Sequence, residues 1–134
     1  MGNFAITYLG QLRCDAKHNA SGTQILTDAP VDNHGRGEAF SPTDLVCTAL
    51  ATCIITTAGI WANKEEIDLI GTTLDVTKVM QASPRKIARI DLVINVSNKM
   101  LSAEQKQKLE EIAHNCPVAI SLHPDIAQNI QFIF

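Results

Sequence analysis

The chain has 134 residues, with 11 Lys and Arg against 14 Asp and Glu and a net charge of −3. That balance argues against a nucleic-acid surface, and the length fits one domain, residues 1–134, burying about two-thirds of its unfolded surface. Four cysteines behind a start (MGNFAITYLG) that lacks a basic region before an apolar run imply a reducing, cytoplasmic setting.

Asn3 to Asp15 reads as one strand, with Phe4, Ile6 and Tyr8 alternating against Ala5, Thr7 and Leu9. Asn19-Ala20-Ser21-Gly22 is a turn, and Thr23 to Thr27 a short returning strand. Asp28 to Phe40, punctuated by Pro30, Asn33, Gly35 and Gly37, is a loop long enough to suggest function. It carries His34, Arg36 and Glu38 and runs straight into a helix, so Arg36 is placed near the helix start.

Ser41-Pro42-Thr43-Asp44 opens that helix. A serine cap, proline at the first helical position and an acid three residues after the cap are a complete start signal. From Leu45 to Ala62 there is no charge, so the helix is expected to be surrounded by protein. Such a segment rises about 27 Å, near a bilayer's thickness. Its threonines (Thr48, Thr52, Thr56, Thr57), Gly59 and the lack of a basic residue just before it speak against a membrane span. Cys53 sits mid-helix, either as a small buried hydrophobe or as a reactive thiol on a rigid element. Cys47 points about 120° away from it around the helix.

Gly71 to Met80 and Lys86 to Ser97 form a hairpin around Ala82-Ser83-Pro84-Arg85. In its second strand Ala88, Ile90, Leu92, Ile94 and Val96 make one face; Arg89, Asp91 and Asn95 make the other, where Val93 hints at cover by another subunit. Ser102 to Asn115 is a second helix, capped by Ser102 and Gln105, with Leu109, Ile112 and Ala113 as its apolar stripe. Pro117 makes Cys116 the N-cap of a short third helix, whose positive end is expected to favour a thiolate. A last strand covers Ile130 to Phe134, with Ile130, Phe132 and Phe134 on one face.

Metal ligation finds little support. Cys14 with His18, and His114 with Cys116 and His123, have no second pair at matching spacing, and no CxxC or HExxH occurs. There is no Gly-rich phosphate loop and no GxSxG elbow, and Tyr8 and Trp61 are too few for a base-stacking platform. What remains is a pair of cysteines, each at a special point on a helix.

SPTDL at the helix start, ATC ending at Cys53, the charged helix after Ser102 and CPV from Cys116, in that order, resemble the OsmC/Ohr family. The resemblance implies an α+β fold, with antiparallel sheets packed on a central buried helix. It implies an intertwined homodimer with each site at the subunit interface. It also implies thiol-dependent reduction of organic hydroperoxides, with Cys53 as the peroxidatic thiol, Cys116 as the resolving thiol and an external dithiol as reductant. No metal or other cofactor, membrane or nucleic acid is expected. Arg36 is the expected cation, Arg13 its rival, and Thr43 and Asp44 are supporting candidates. One departure stands out. The hydroperoxide-reducing branches place an arginine-orienting glutamate where this chain has Thr43, with the acid displaced to Asp44. A non-enzymatic dimer that senses redox state or binds a hydrophobic ligand is therefore the alternative function.

Overall fold

The computed structural model describes residues 2–134, which fold as six strands, three α-helices and one 3-10 turn. They form two compact units, one ending at Val46 and one spanning Cys47–Phe134.

The first unit is an antiparallel meander of β1 (Phe4–Gly10), β2 (Arg13–His18) and β3 (Gln24–Asp28). The single strand expected over Asn3 to Asp15 is in fact a hairpin. Gly10, Gln11 and Leu12 all take positive φ (83°, 52° and 63°), reversing the chain so that Gly10 pairs with Arg13. Only Gly10 signals this turn in the sequence, because Gln11 and Leu12 rarely adopt left-handed backbone. The Leu12 carbonyl accepts the Ala29 N–H at 3.0 Å, which fixes the turn from outside.

The pairing Phe4↔His18, Ile6↔Ala16, Tyr8↔Cys14 and Ala16↔Ile25 collects Phe4, Ile6, Tyr8, Cys14, Ala16 and Ile25 on one face. That face is open: Phe4, Ile6 and Tyr8 are 64%, 63% and 63% exposed. The opposite face carries Arg13, Asp15, Lys17, Gln24 and Asp28. Among residues 2–46 the buried ones are Asp28 and Ser41, both polar. The long loop contains a 3-10 turn at Val31–Asn33 and folds back on its own base, with the Asp28 N–H donating to the Phe40 carbonyl at 3.1 Å. Gly35 is required there, since a Cβ would lie 1.7 Å from the Ala29 carbonyl oxygen.

Helix α1 (Pro42–Lys64) begins with the expected reciprocal cap. The Asp44 N–H donates to Ser41 Oγ at 3.1 Å, and the Ser41 N–H donates to an Asp44 carboxylate oxygen at 2.9 Å. By length and composition α1 could cross a membrane, a property it shares with core helices of globular proteins. The expectation of burial all round is met on one side only within this chain. Cys47, Leu50, Ala51, Ile54, Ala58 and Ala62 are buried, at the spacing of one helical stripe. Ala49, Thr52, Thr56 and Ile60 stay exposed. Thr52 satisfies its hydroxyl by donating to the Thr48 carbonyl at 2.8 Å.

The second unit holds a three-stranded sheet of β4 (Thr73–Ala82), β5 (Arg85–Asn95) and β6 (Ala127–Ile133). The first two form the expected hairpin, closed at Ser83–Pro84 with a cis peptide. β6 begins before Ile130, earlier than expected, and joins β5 in parallel, placing Ile130 beside Leu92 and Phe132 beside Ile94. The parallel edge follows from the crossover through α2 (Ala103–Asn115) and α3 (Pro117–Ser121). A bulge shifts the β5 register from Val79↔Arg89 to Met80↔Ile87, so Ile87 takes the buried position expected for Ala88. Ile90, Leu92, Ile94 and Val96 are buried as the alternation implies. Ala58 of α1 packs with Leu109 and Ile112 of α2, with Ile55, Trp61 and Phe132 closing around them.

Candidate functional site

Two groups of side chains stand out, one in each unit. In the second unit, Cys53 projects from the middle of α1 and meets Cys116 within hydrogen-bonding reach. The path to that meeting is local. Ser102 and Gln105 start α2 with the expected reciprocal cap, and the helix ends at Cys116. Pro117 then starts α3, and the Cys116 sulfur caps it by accepting the Ala119 N–H at 3.4 Å.

The two sulfurs differ in surroundings. Cys53 is half-buried and Cys116 is 0% exposed, so a reagent meets Cys53 first. Burial pushes the Cys116 thiol above its ordinary pKa; the Ala119 N–H opposes this and the neighbouring Cys53 adds to it. The expected thiolate at the α3 N-terminus is therefore corrected to a neutral thiol. Desolvation of the sulfur outweighs the short helix's free N–H groups. Cys47 is buried in the α1 stripe, and Cys14 lies on the open face of the first sheet. No disulfide links any of the four cysteines.

The second group belongs to the first unit. Arg13, treated in the sequence as the rival arginine, faces Asp28 directly across β2 and β3. Its Nε donates to Asp28 Oδ1 at 2.7 Å and its Nη2 to Oδ2 at 2.8 Å, a two-point fork on a carboxylate with no exposed surface. Nη2 also reaches Glu38 at 3.2 Å, and the Glu38 N–H donates to Asp28 Oδ2 at 3.1 Å. The Arg13 hydrogen bond is the main cause holding the Asp28 pKa below the ordinary carboxylate range; the Glu38 N–H and the Arg36 charge add to it. Reciprocally, Asp28 raises the Arg13 pKa further and keeps it fully charged.

Arg36 itself is exposed in the loop and donates to the Gln11 side-chain oxygen. Thr43 and Asp44 sit at the α1 cap: the Asp44 carboxylate holds the Ser41 N–H, and the Thr43 hydroxyl lies 3.2 Å from that of Ser41. Sequence reasoning missed Asp28, which it left at the base of a loop. The signal was there in part: once the chain turns at Gly10, Arg13 falls opposite Asp28.

With this geometry in hand, the comparisons with known proteins are decisive about kinship. A family profile described as OsmC-like protein matches residues 35–131, more than half of the chain. The chain belongs to the OsmC-like protein family. A candidate osmotic stress induced and detoxification response protein from Psychrobacter arcticus is 47% identical, with a TM-score of 0.95 over 99% of this chain and 96% of that one. An organic hydroperoxide resistance protein OsmC from Legionella pneumophila shares the fold at 17% identity, with a TM-score of 0.76 over 98% of this chain and 95% of that one. An OsmC-like protein from Mycoplasma pneumoniae does so at 17% identity and a TM-score of 0.77, over 100% and 98%. No curated protein matches the sequence. The family's α+β fold is thus the fold of this chain, and its expected central helix is α1.

The buried pair makes an acid-stability prediction. The folded Asp28 pKa is depressed below 3.8, so its contribution is complete above that value and lost as pH falls through the folded pKa. Urea melts across the acid range should show a stability drop below about pH 4 that Asp28→Asn reduces, while lowering stability at neutral pH. A variant that follows the wild-type acid profile would contradict the pairing.

Proposed function

We propose that the protein reduces organic hydroperoxides by a two-cysteine mechanism, as a cytoplasmic homodimer and with no resident metal or other cofactor. The observation that carries this reading is the meeting of an accessible thiol, Cys53, with a buried neutral one, Cys116. Fold relatives named for organic hydroperoxide resistance support it.

In this mechanism the Cys53 thiolate attacks one oxygen of the hydroperoxide. The O–O bond breaks, the alkoxide takes a proton from water and leaves as the alcohol, and Cys53 becomes a sulfenic acid. Cys116 then attacks the Cys53 sulfur, gives up its thiol proton, and the sulfenic hydroxyl departs as water. A Cys53–Cys116 disulfide results, which an external dithiol reduces by exchange, becoming oxidised itself. A neutral Cys116 is a weak nucleophile, so it leaves the peroxide to Cys53. The chemistry needs a cation, for which Arg36, in the loop that leads into α1, is the candidate and Arg13 the rival; Thr43 and Asp44 support the site by fixing the start of α1.

The homodimer is supported by the open apolar face of the first sheet and the uncovered side of α1, both larger in character than scattered surface hydrophobics. One observation favours the alternative, a dimer that binds a hydrophobic ligand. An apolar hollow of about 230 Å³ lies between α1 and β4, lined by Thr48, Ala51, Thr52, Ile55, Leu74 and Val76.

Turnover separates the two. With tert-butyl hydroperoxide and a lipoyl dithiol, the wild-type protein should consume peroxide, and Cys53→Ser should abolish it. Cys116→Ser should form the sulfenic acid and then over-oxidise at Cys53. No turnover, with all four thiols reacting alike, would leave the ligand-binding dimer as the better account. Light scattering at micromolar concentration should give about twice the 14.6 kDa chain mass; a monomer throughout that range would remove the interface-site part of the proposal.

A further inference from the structure

We infer that recycling of the disulfide runs in one direction: the external dithiol attacks the Cys53 sulfur, and Cys116 is the sulfur that departs. The inference rests on the two-cysteine reading above and names the half of the disulfide that the reductant meets.

Access decides the direction. Displacement at sulfur is in-line: the attacking thiolate enters opposite the sulfur that leaves, so the attacked sulfur needs an open far side. Cys53 has one. It is half-buried in the middle of α1, meeting Cys116 on one side and keeping part of its surface open. Cys116 has none. It joins the end of α2 to the start of α3, between the buried residues Ala113 and Ala119, and is 0% exposed. Its carbonyl and its sulfur are both tied into α3, accepting the Ile120 and Ala119 N–H groups at 3.2 and 3.4 Å. Swinging it out to solvent would break the start of that helix. A second copy can cover more of the pair, but it cannot uncover a sulfur enclosed by its own chain.

Leaving-group chemistry pulls the other way. Burial raises the Cys116 pKa, and a thiol of higher pKa leaves more slowly. With no exposed surface on Cys116, access outweighs this, and the Ala119 N–H is already in place to receive the departing charge. The reductant's thiolate bonds to the Cys53 sulfur, the Cys53–Cys116 bond breaks, and its electron pair leaves with Cys116, which takes a proton from water. The reductant's second thiolate then attacks its own first sulfur, closing a disulfide and releasing Cys53 as a thiolate. The reprotonated Cys116 is a weak nucleophile, so it does not reclaim Cys53 before that second attack. A monothiol lacks the second attack and is held as a mixed disulfide on Cys53.

The test uses the full-length protein, oxidised with diamide so that the disulfide forms without any peroxide. Brief exposure to 2-mercaptoethanol is followed by an acid quench, blocking with N-ethylmaleimide and peptide mapping by mass spectrometry. The mercaptoethanol adduct on Cys53 should exceed that on Cys116 by about 10-fold or more, with Cys116 carrying the maleimide. The same exposure in urea, where both sulfurs are open, should bring the ratio to about 1. An adduct mainly on Cys116, an even split in the folded protein, or a bias that survives urea would overturn the inference and leave the peroxidase reading standing. Failure of both diamide and an organic hydroperoxide to form a Cys53–Cys116 disulfide would overturn both.

Discussion

A carboxylate sealed from water stays ionised only beside a cation and hydrogen-bond donors, and Asp28 has both. The first unit depends on this more than on any apolar core. Its large hydrophobic residues lie open, with Phe4, Ile6, Tyr8 and Ile25 on one sheet face and Leu26 on the other, while its buried side chains are Asp28 and Ser41. Asp28 ends β3, receives the returning loop through the Glu38 N–H, and binds the first residue of β2. Ser41 does the equivalent at the start of α1. The polar contacts thus set where the strands, the loop and the helix begin and end. The apolar face they leave uncovered is the physical reason to expect a second copy.

The second unit works in the opposite way. Its α1 stripe, the β5 alternation and the α2 stripe converge on an apolar core, and the Cys53–Cys116 meeting is a by-product of that packing. Cys116 is buried because it joins two helices, and burial decides its protonation against the pull of the helix end. Cys53 lies beside the buried stripe rather than within it, which keeps its sulfur within reach of solvent. One rigid helix therefore presents a thiol to solvent on one side and to its partner sulfur on the other.

How much of this was legible in the sequence follows from the range of each interaction. Both capping boxes, Pro117 after Cys116 and the alternation from Ile90 to Val96 are written in neighbouring residues, and each appears where the pattern puts it. The turn at Gln11 and Leu12 is not, because neither residue type announces left-handed backbone. Without that turn the Arg13–Asp28 pair stays hidden, and with it the more firmly held of the two arginines. The β5 bulge and the parallel entry of β6 depend on partners far along the chain. The protonation of Cys116 depends on how deeply three-dimensional packing buries it, which a local cap motif does not reveal. The order of SPTDL, ATC and CPV carried the family, whereas Thr43 gave no sign of what holds an arginine in its place.

The central claim is that Cys53 and Cys116 act as one redox pair. The most direct measurement is peptide mapping by mass spectrometry after the fully reduced protein meets one equivalent of an organic hydroperoxide. The account predicts a Cys53–Cys116 disulfide, with Cys14 and Cys47 still reduced. A disulfide through Cys14 or Cys47, or oxidation spread evenly over the four thiols, would contradict it.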